Sequence, residues 1–241
     1  MKKALLLSLA AVGIMAACAA VAWAGEPGAP ATTKMSVFDL LWEAGLIGLF
    51  IILLSVAGLA LTIEHAFSIR REKLLPPDFV AELEDLFDQE DYEEVLNLCD
   101  SDDNFLSHMV AASMSKLDAG YESMVEGMAE AGEEASLMLH HKVSYLALIA
   151  NISPMLGLLG TVVGMIRTFL VFASTPGAGP PELAGGISQA LMTTVMGLIV
   201  AIPVMVAFQF FRNRVVRLVL ESTNIASDII RRFKPGQRAA G

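Results

Sequence analysis

Apolar residues are arranged in two ways along this chain. In some stretches they run on with few charges or none; in others they recur at helical spacing among acids. The chain opens on one apolar run, MKKALLLSLAAVGIMAACAAVAWAG. A second, AGLIGLFIILLSVAGLALTI at 44–63, has 20 residues and no charge. At about 1.5 Å per residue it can cross roughly 30 Å of hydrocarbon. Two more cover about 143–173 and the stretch from Leu183 or Ile187 to Phe211. The last is uncharged over more than a bilayer's thickness, which predicts tilt or projection beyond it.

Residues 76–142 follow the other pattern. Pro76 and Pro77 break the helix leaving the first of these spans. Then Phe79, Leu83, Leu86 and Phe87, and after them Val95, Leu96 and Leu98, recur near helical spacing with acids on the other faces. This predicts a small helical domain with acidic surfaces. Asp100–Asn104 reads as a polar loop. From Tyr121 to Ser153 a periodic pattern runs without proline, which predicts one long helix entering the membrane directly.

Charge placement orients the spans. Lys and Arg close to a span end mark its cytoplasmic side. Arg70, Arg71 and Lys73 follow the span at 44–63, Lys142 precedes the next, and Arg212, Arg214 and Arg217 close the last. The connection STPGAGPPELAGG at 174–186 has no Lys or Arg and belongs outside. The opening run has the grammar of a secretory signal: Lys2 and Lys3, an apolar core, then Ala22-Trp23-Ala24. It predicts cleavage after Ala24. An uncleaved extra span is the alternative. A lipoprotein at Cys18 is weaker, because Met15 stands where a branched aliphatic is wanted.

The plan is an all-α membrane protein, three transmembrane helices extended by a cytoplasmic helical domain. Its parts are a signal peptide at 1–24, a short periplasmic segment at 25–41, a span at 42–64 and the cytoplasmic domain at 65–142. A second span at 143–173, a periplasmic loop at 174–186, a third span at 187–211 and a cytoplasmic tail at 212–241 complete it. Trp42 sits at the start of the first of these spans, as belt tryptophans do. The N-terminus is then periplasmic and the protein is a multi-pass protein of the inner membrane.

Composition agrees and removes alternatives. The 241 residues are 55% hydrophobic with a mean hydropathy of +0.60, while aromatics are only 7%. That excess is aliphatic, as spanning helices require. A net charge of −10 argues against nucleic acid. Cys18 and Cys99 form neither a disulfide framework nor a metal spacing. His140 and His141 are adjacent and face different sides of a helix; His65 and His108 have no ligand-spaced company. No nucleophile elbow, phosphate loop, zinc-protease helix or dinucleotide glycine set appears. The chain reads as no enzyme, with no metal and no cofactor.

The spans carry the chemistry. Gly157, Gly160 and Gly164 fall on one helix face, three and four residues apart. Gly160 and Gly164 are a small-xxx-small pair, which admits a neighbouring backbone. Pro154 stands just before them and Thr161 beside them. The third span holds Ser188, Gln189, Thr193 and Thr194, with Gly197 after them. Each threonine either bonds a carbonyl of its own helix or faces a polar cavity shared by Thr161 and Thr194. Arg167 reads as an interfacial anchor; the sharper reading pairs it with Glu182 or a partner's acid. Glu64 reads as an interfacial residue. No Asp or Glu lies between Val143 and Pro181, or between Leu183 and Val219. A proton path here must take its titrating group from elsewhere.

The segments ISPMLGLLGTVVGMIRTF at 152–169 and GGISQALMTTVMGLIVAIPVMVAFQFF at 185–211 resemble the MotA/TolQ/ExbB proton-channel family, on its ExbB/TolQ branch. The resemblance implies a homo-oligomeric, pentameric ring in the inner membrane. It also implies an ExbD/TolR-like single-span partner that supplies an intramembrane aspartate, and work done on a TonB- or TolA-like protein. It assigns Thr161 and Thr194 to the pore. Where the family commonly has a glutamate, this chain has Gln189, an amide that cannot titrate; a polar pore contact remains. Arg167 also departs from the usual neutral residue. The family implies a proton-channel motor subunit, for example in TonB-dependent import. A TolQ-like envelope-maintenance motor and a non-conducting scaffold of the same fold are the alternatives. A flagellar stator fits less well, since those proteins have four spans.

Overall fold

The computed structural model describes residues 45–176 and 179–234. The expected signal peptide, the segment after it and Trp42 lie outside the described residues. Among the described residues there is no strand, so the all-α class is borne out. The helices are α1 Gly45–Ser68, α2 Arg71–Leu74, α3 Pro77–Asp88, α4 Tyr92–Ser101, α5 Phe105–Met114, α6 Tyr121–Ser174 and α7 Pro180–Ile230, with short 3₁₀ turns at Leu117–Ala119 and Arg231–Phe233. Stretches of α1, α6 and α7 are long and apolar enough to cross a membrane.

The chain divides into two compact units. One takes the chain up to Ala66 with Ser144–Gln209, the other Phe67–Val143 with Phe210–Gly241. In the first, α1 packs on both long helices: a methyl at Gly58 would stand 2.9 Å from Val204 Cγ2 and 3.5 Å from Ile149 Cγ2. Pro154 and Pro203 lie inside α6 and α7. Proline removes a donor, but helices in a membrane tolerate it where neighbours re-satisfy the freed groups. The Ser153 hydroxyl donates to the Ile149 carbonyl at 2.7 Å, beside the proline.

α7 begins at Pro180, earlier than a loop at 174–186 predicts. Pro180 occupies the first helical position, where its fixed φ and missing N–H do no harm. The carboxylate of Glu182 accepts from the Gly179 N–H at 2.9 Å, half of a capping box. Proline and acid therefore start a helix here rather than prolong a loop.

In the second unit the core is Phe79, Leu83 and Phe87 of α3, Val95 and Cys99 of α4, four apolar residues from Phe105 to Val110, and Met124 and Met128 of α6. Asn104 caps α5: its side chain accepts from the Ser107 N–H at 2.9 Å, and the Ser107 hydroxyl accepts from the Asn104 N–H at 3.1 Å. The polar loop thus ends in a buried capping box.

The described part of the expected cytoplasmic tail, 212–234, joins this core. Ala226, Ile229 and Ile230 are buried in it, and Val215, Leu218 and Ser222 continue the same buried face. Phe233 packs on Phe87 and Tyr92, with ring centroids 6.1 and 5.4 Å away. Ion pairs fix the outside: Arg71 donates to Glu221 at 2.6 and 2.9 Å, and Arg232 pairs with Asp88. Glu221 holds the Arg71 guanidinium above its usual range, by hydrogen bond first and by charge second.

Candidate functional site

The stripe of small residues on α6 meets a matching stripe on α7. A methyl at Gly157 would stand 2.9 Å from the Thr193 carbonyl oxygen and 3.0 Å from Thr194 Cα. At Gly160 it would stand 2.5 Å from Thr193 Oγ1, and at Gly164 2.8 Å from Ala190 Cβ. At Gly197 it would stand 2.6 Å from the Ser153 carbonyl oxygen. Gly186 meets Thr168 in the same way. As numbers rise on α6 they fall on α7: Gly157 with Gly197, Gly160 with Thr193, Gly164 with Ala190, Thr168 with Gly186. The helices are therefore antiparallel and in close register along this seam, and Thr161 and Thr194 occupy neighbouring register positions.

The hydroxyls are held differently. Thr161 is 4% exposed, and its hydroxyl donates to the Leu158 carbonyl at 2.7 Å, the bond a membrane threonine ordinarily makes. The Thr194 hydroxyl oxygen is buried with no hydrogen-bond partner among the described residues. Thr193, between the helices, donates to the Ala190 carbonyl at 2.7 Å and is shared with the Gly157 carbonyl at 3.1 Å. It is the hydroxyl that ties the two helices together. Thr193 carries no role in the sequence pattern alone. Its signal was there: Ala190, Thr193 and Gly197 repeat the three-and-four spacing of Gly157, Gly160 and Gly164.

Toward the loop end, a cleft of about 580 Å³ opens among the three long helices. Arg167, Glu182 and Gln189 line it, with Leu46, Phe172 and Leu183. The structure thus brings Arg167 and Gln189 to one cavity, whose floor includes Gly160 and Gly164 of the seam. Among the described residues Arg167 makes no ion pair, and Glu182 is bonded to the Gly179 N–H. The pairing of Arg167 with Glu182 is therefore not formed. Glu64 is exposed near the end of α1. No group of three His, Cys, Asp or Glu that could hold a metal occurs among the described residues.

A model of the MotA/TolQ/ExbB proton channel family matches residues 100–224, just over half of the 241. The chain belongs to this family. Relatives within the MotA/TolQ/ExbB family include a Synechocystis "Putative biopolymer transport protein ExbB-like 3", 42% identical over 90 residues, covering 35% of this chain and 43% of that one. The Salmonella typhimurium "Biopolymer transport protein ExbB" is 41% identical over 71 residues, 30% of this chain and 29% of that one. The Haemophilus influenzae "Tol-Pal system protein TolQ" is 38% identical over 77 residues, 32% and 34%. These matches span less than half the length of each relative. A solved structure of C. jejuni MotAB superposes with a TM-score of 0.61 at 18% identity, covering 96% of this chain and 88% of that one; it shares the fold. Family and apolar helices together make this MotA/TolQ/ExbB protein an integral protein of the bacterial inner membrane.

Proposed function

We propose that this chain is a ring-forming channel subunit that works with a single-span ExbD/TolR-like partner. The partner brings an intramembrane aspartate, and the pair couples the proton motive force to an envelope process such as TonB-dependent import, through a TonB- or TolA-like protein. One observation carries this reading. Two antiparallel helices are locked by a glycine seam with Thr161 and Thr194 at one level, while neither span contains a carboxylate. A site built to move protons, yet without its own acid, calls for one from outside.

In this reading Thr161 and Thr194 line the lumen of a pentamer. The buried Thr194 hydroxyl, unpartnered among the described residues, is the group left to bond a partner's carboxylate or a water. Gln189 contributes a neutral polar contact and carries no proton. The basic ends of the spans face the cytoplasm, the loop between α6 and α7 faces the periplasm, and the N-terminus is periplasmic after signal cleavage.

The test is reconstitution of the ring with its partner in proteoliposomes under an imposed pH gradient. Thr194→Val keeps the side chain's shape and removes the hydroxyl; Thr161→Ala removes both. Both variants are expected to assemble and to lower proton flux. Assembly with undiminished flux in both refutes the reading.

A second reading rests on Gln189 itself. An amide in place of a titrating residue suits a scaffold of the same fold that does not conduct. A TolQ-like role in envelope maintenance is the sister of the import reading and differs only in the protein worked upon. Gln189→Glu separates the first two: it leaves flux of a working channel within a few-fold, whereas it creates flux in a scaffold.

A further inference from the structure

The seam accounts for the glycines and the threonines but not for the charges of the cleft that opens from it toward the loop end. Three helices wall it: Leu46 comes from α1, Val171 and Phe172 from α6, and Leu183 from α7. Two opposite charges stand in it, Arg167 and Glu182, both exposed. They do not pair with each other, and Arg167 has no carboxylate partner among the described residues. One oxygen of Glu182 is committed to the Gly179 N–H; the other is open to a donor.

Depth narrows the ligand. Residues 143–166 are 24 without a charge, roughly 36 Å of helix. That exceeds the hydrocarbon core of about 30 Å and falls short of the roughly 40–45 Å that includes both headgroup layers. Arg167 is the next residue, six before the end of the span at 143–173, and its long side chain reaches headgroup level. At that level an arginine meets lipid phosphates, and its planar fork matches them. The carboxylate in the same cleft asks for a cation.

We propose that the cleft binds a phospholipid carrying both a phosphate and a primary ammonium, that is, a phosphatidylethanolamine. The phosphate sits on Arg167, the ammonium donates to the open oxygen of Glu182, and an acyl chain runs along Leu46, Val171 and Phe172. Phosphatidylglycerol satisfies Arg167 and leaves Glu182 without a cation. Phosphatidylcholine has no N–H to donate. A partner's carboxylate would suit Arg167 but face the repulsion of Glu182.

The test is native mass spectrometry of the full chain, delipidated in detergent micelles and titrated separately with dioleoyl-phosphatidylethanolamine, -glycerol and -choline. The expected result is about a tenfold preference for phosphatidylethanolamine, the worth of one charge-assisted contact. Arg167→Gln lowers its binding about tenfold, and Arg167→Lys restores part of it. Glu182→Gln keeps phospholipid binding and erases the preference. Helix content by circular dichroism controls for folding; should Arg167→Gln lose it, the exposed Glu182→Gln decides. Equal occupancy by the three lipids, a preference for phosphatidylglycerol, undiminished phosphatidylethanolamine binding in Arg167→Gln, or an unchanged preference in Glu182→Gln overturns the proposal.

Discussion

Gly160→Ala tests the seam directly. The added methyl would stand 2.5 Å from Thr193 Oγ1, 2.7 Å from its Cβ and 3.2 Å from its Cγ2. Thr193 has little room to yield, because its hydroxyl is held between two carbonyls and a β-branched side chain has few rotamers in a helix. Overpacking of this kind costs about 1–3 kcal/mol, and loss of the bond to Gly157 adds about 0.6 kcal/mol, the mean for such bonds between membrane helices. Alanine returns about 1 kcal/mol through its better helix propensity. The net expectation is a destabilisation of roughly 1–2.5 kcal/mol. Gly185→Ala is the control: it meets nothing within 4 Å, so only the propensity gain of up to about 1 kcal/mol remains. The two substitutions should move stability in opposite directions. The assay is unfolding of the detergent-solubilised protein by dodecyl sulfate, followed by circular dichroism. A double variant with Thr193→Gly should recover part of the Gly160→Ala loss, a non-additivity of about 1 kcal/mol. Equal shifts for Gly160→Ala and Gly185→Ala would refute the seam.

Other expectations concern the second unit. Ile230→Ala, at a side chain 1% exposed, should cost about 2–4 kcal/mol, read as a lower denaturation midpoint. Glu221→Gln should cost less than about 1 kcal/mol, less still at high salt, because its pair with Arg71 is 40–51% exposed. Burial pushes the Cys99 thiol up from 9.0 to about 12, so thiol reagents at neutral pH should label it only on unfolding. The raised value favours the protonated thiol in the fold. Its contribution to stability is complete below pH 9.0 and is lost as pH rises toward 12; Cys99→Ala should flatten the alkaline limb of a stability–pH curve.

How far the sequence carried the reading varies from element to element. The apolar runs and the spacing of Gly157, Gly160 and Gly164 were legible because both are properties of one helix. The meeting of that stripe with Ala190, Thr193 and Gly197 is a property of two helices in register, and only the fold sets register. The tail misled because charges at Arg212, Arg214 and Arg217 mask the period of Val215, Leu218, Ser222 and Ala226, a face that has meaning only once the fold buries it. Pro180 and Glu182 looked like loop residues by composition, while their order makes a helix start. The cleft was invisible, since its charges come from helices joined by a loop and neither charge pairs with the other.

Helix α7 also places opposite demands on its two ends. From Gly186 to Gly197 its contacts are limited by how small the residues are; from Val215 to Ile230 they are limited by how large. Along one continuous helix the harmful direction of change in side-chain volume therefore reverses. A saturation scan of α7 should show additions rejected in the first half and deletions rejected in the second, with the crossover marking where the chain passes from one kind of packing to the other.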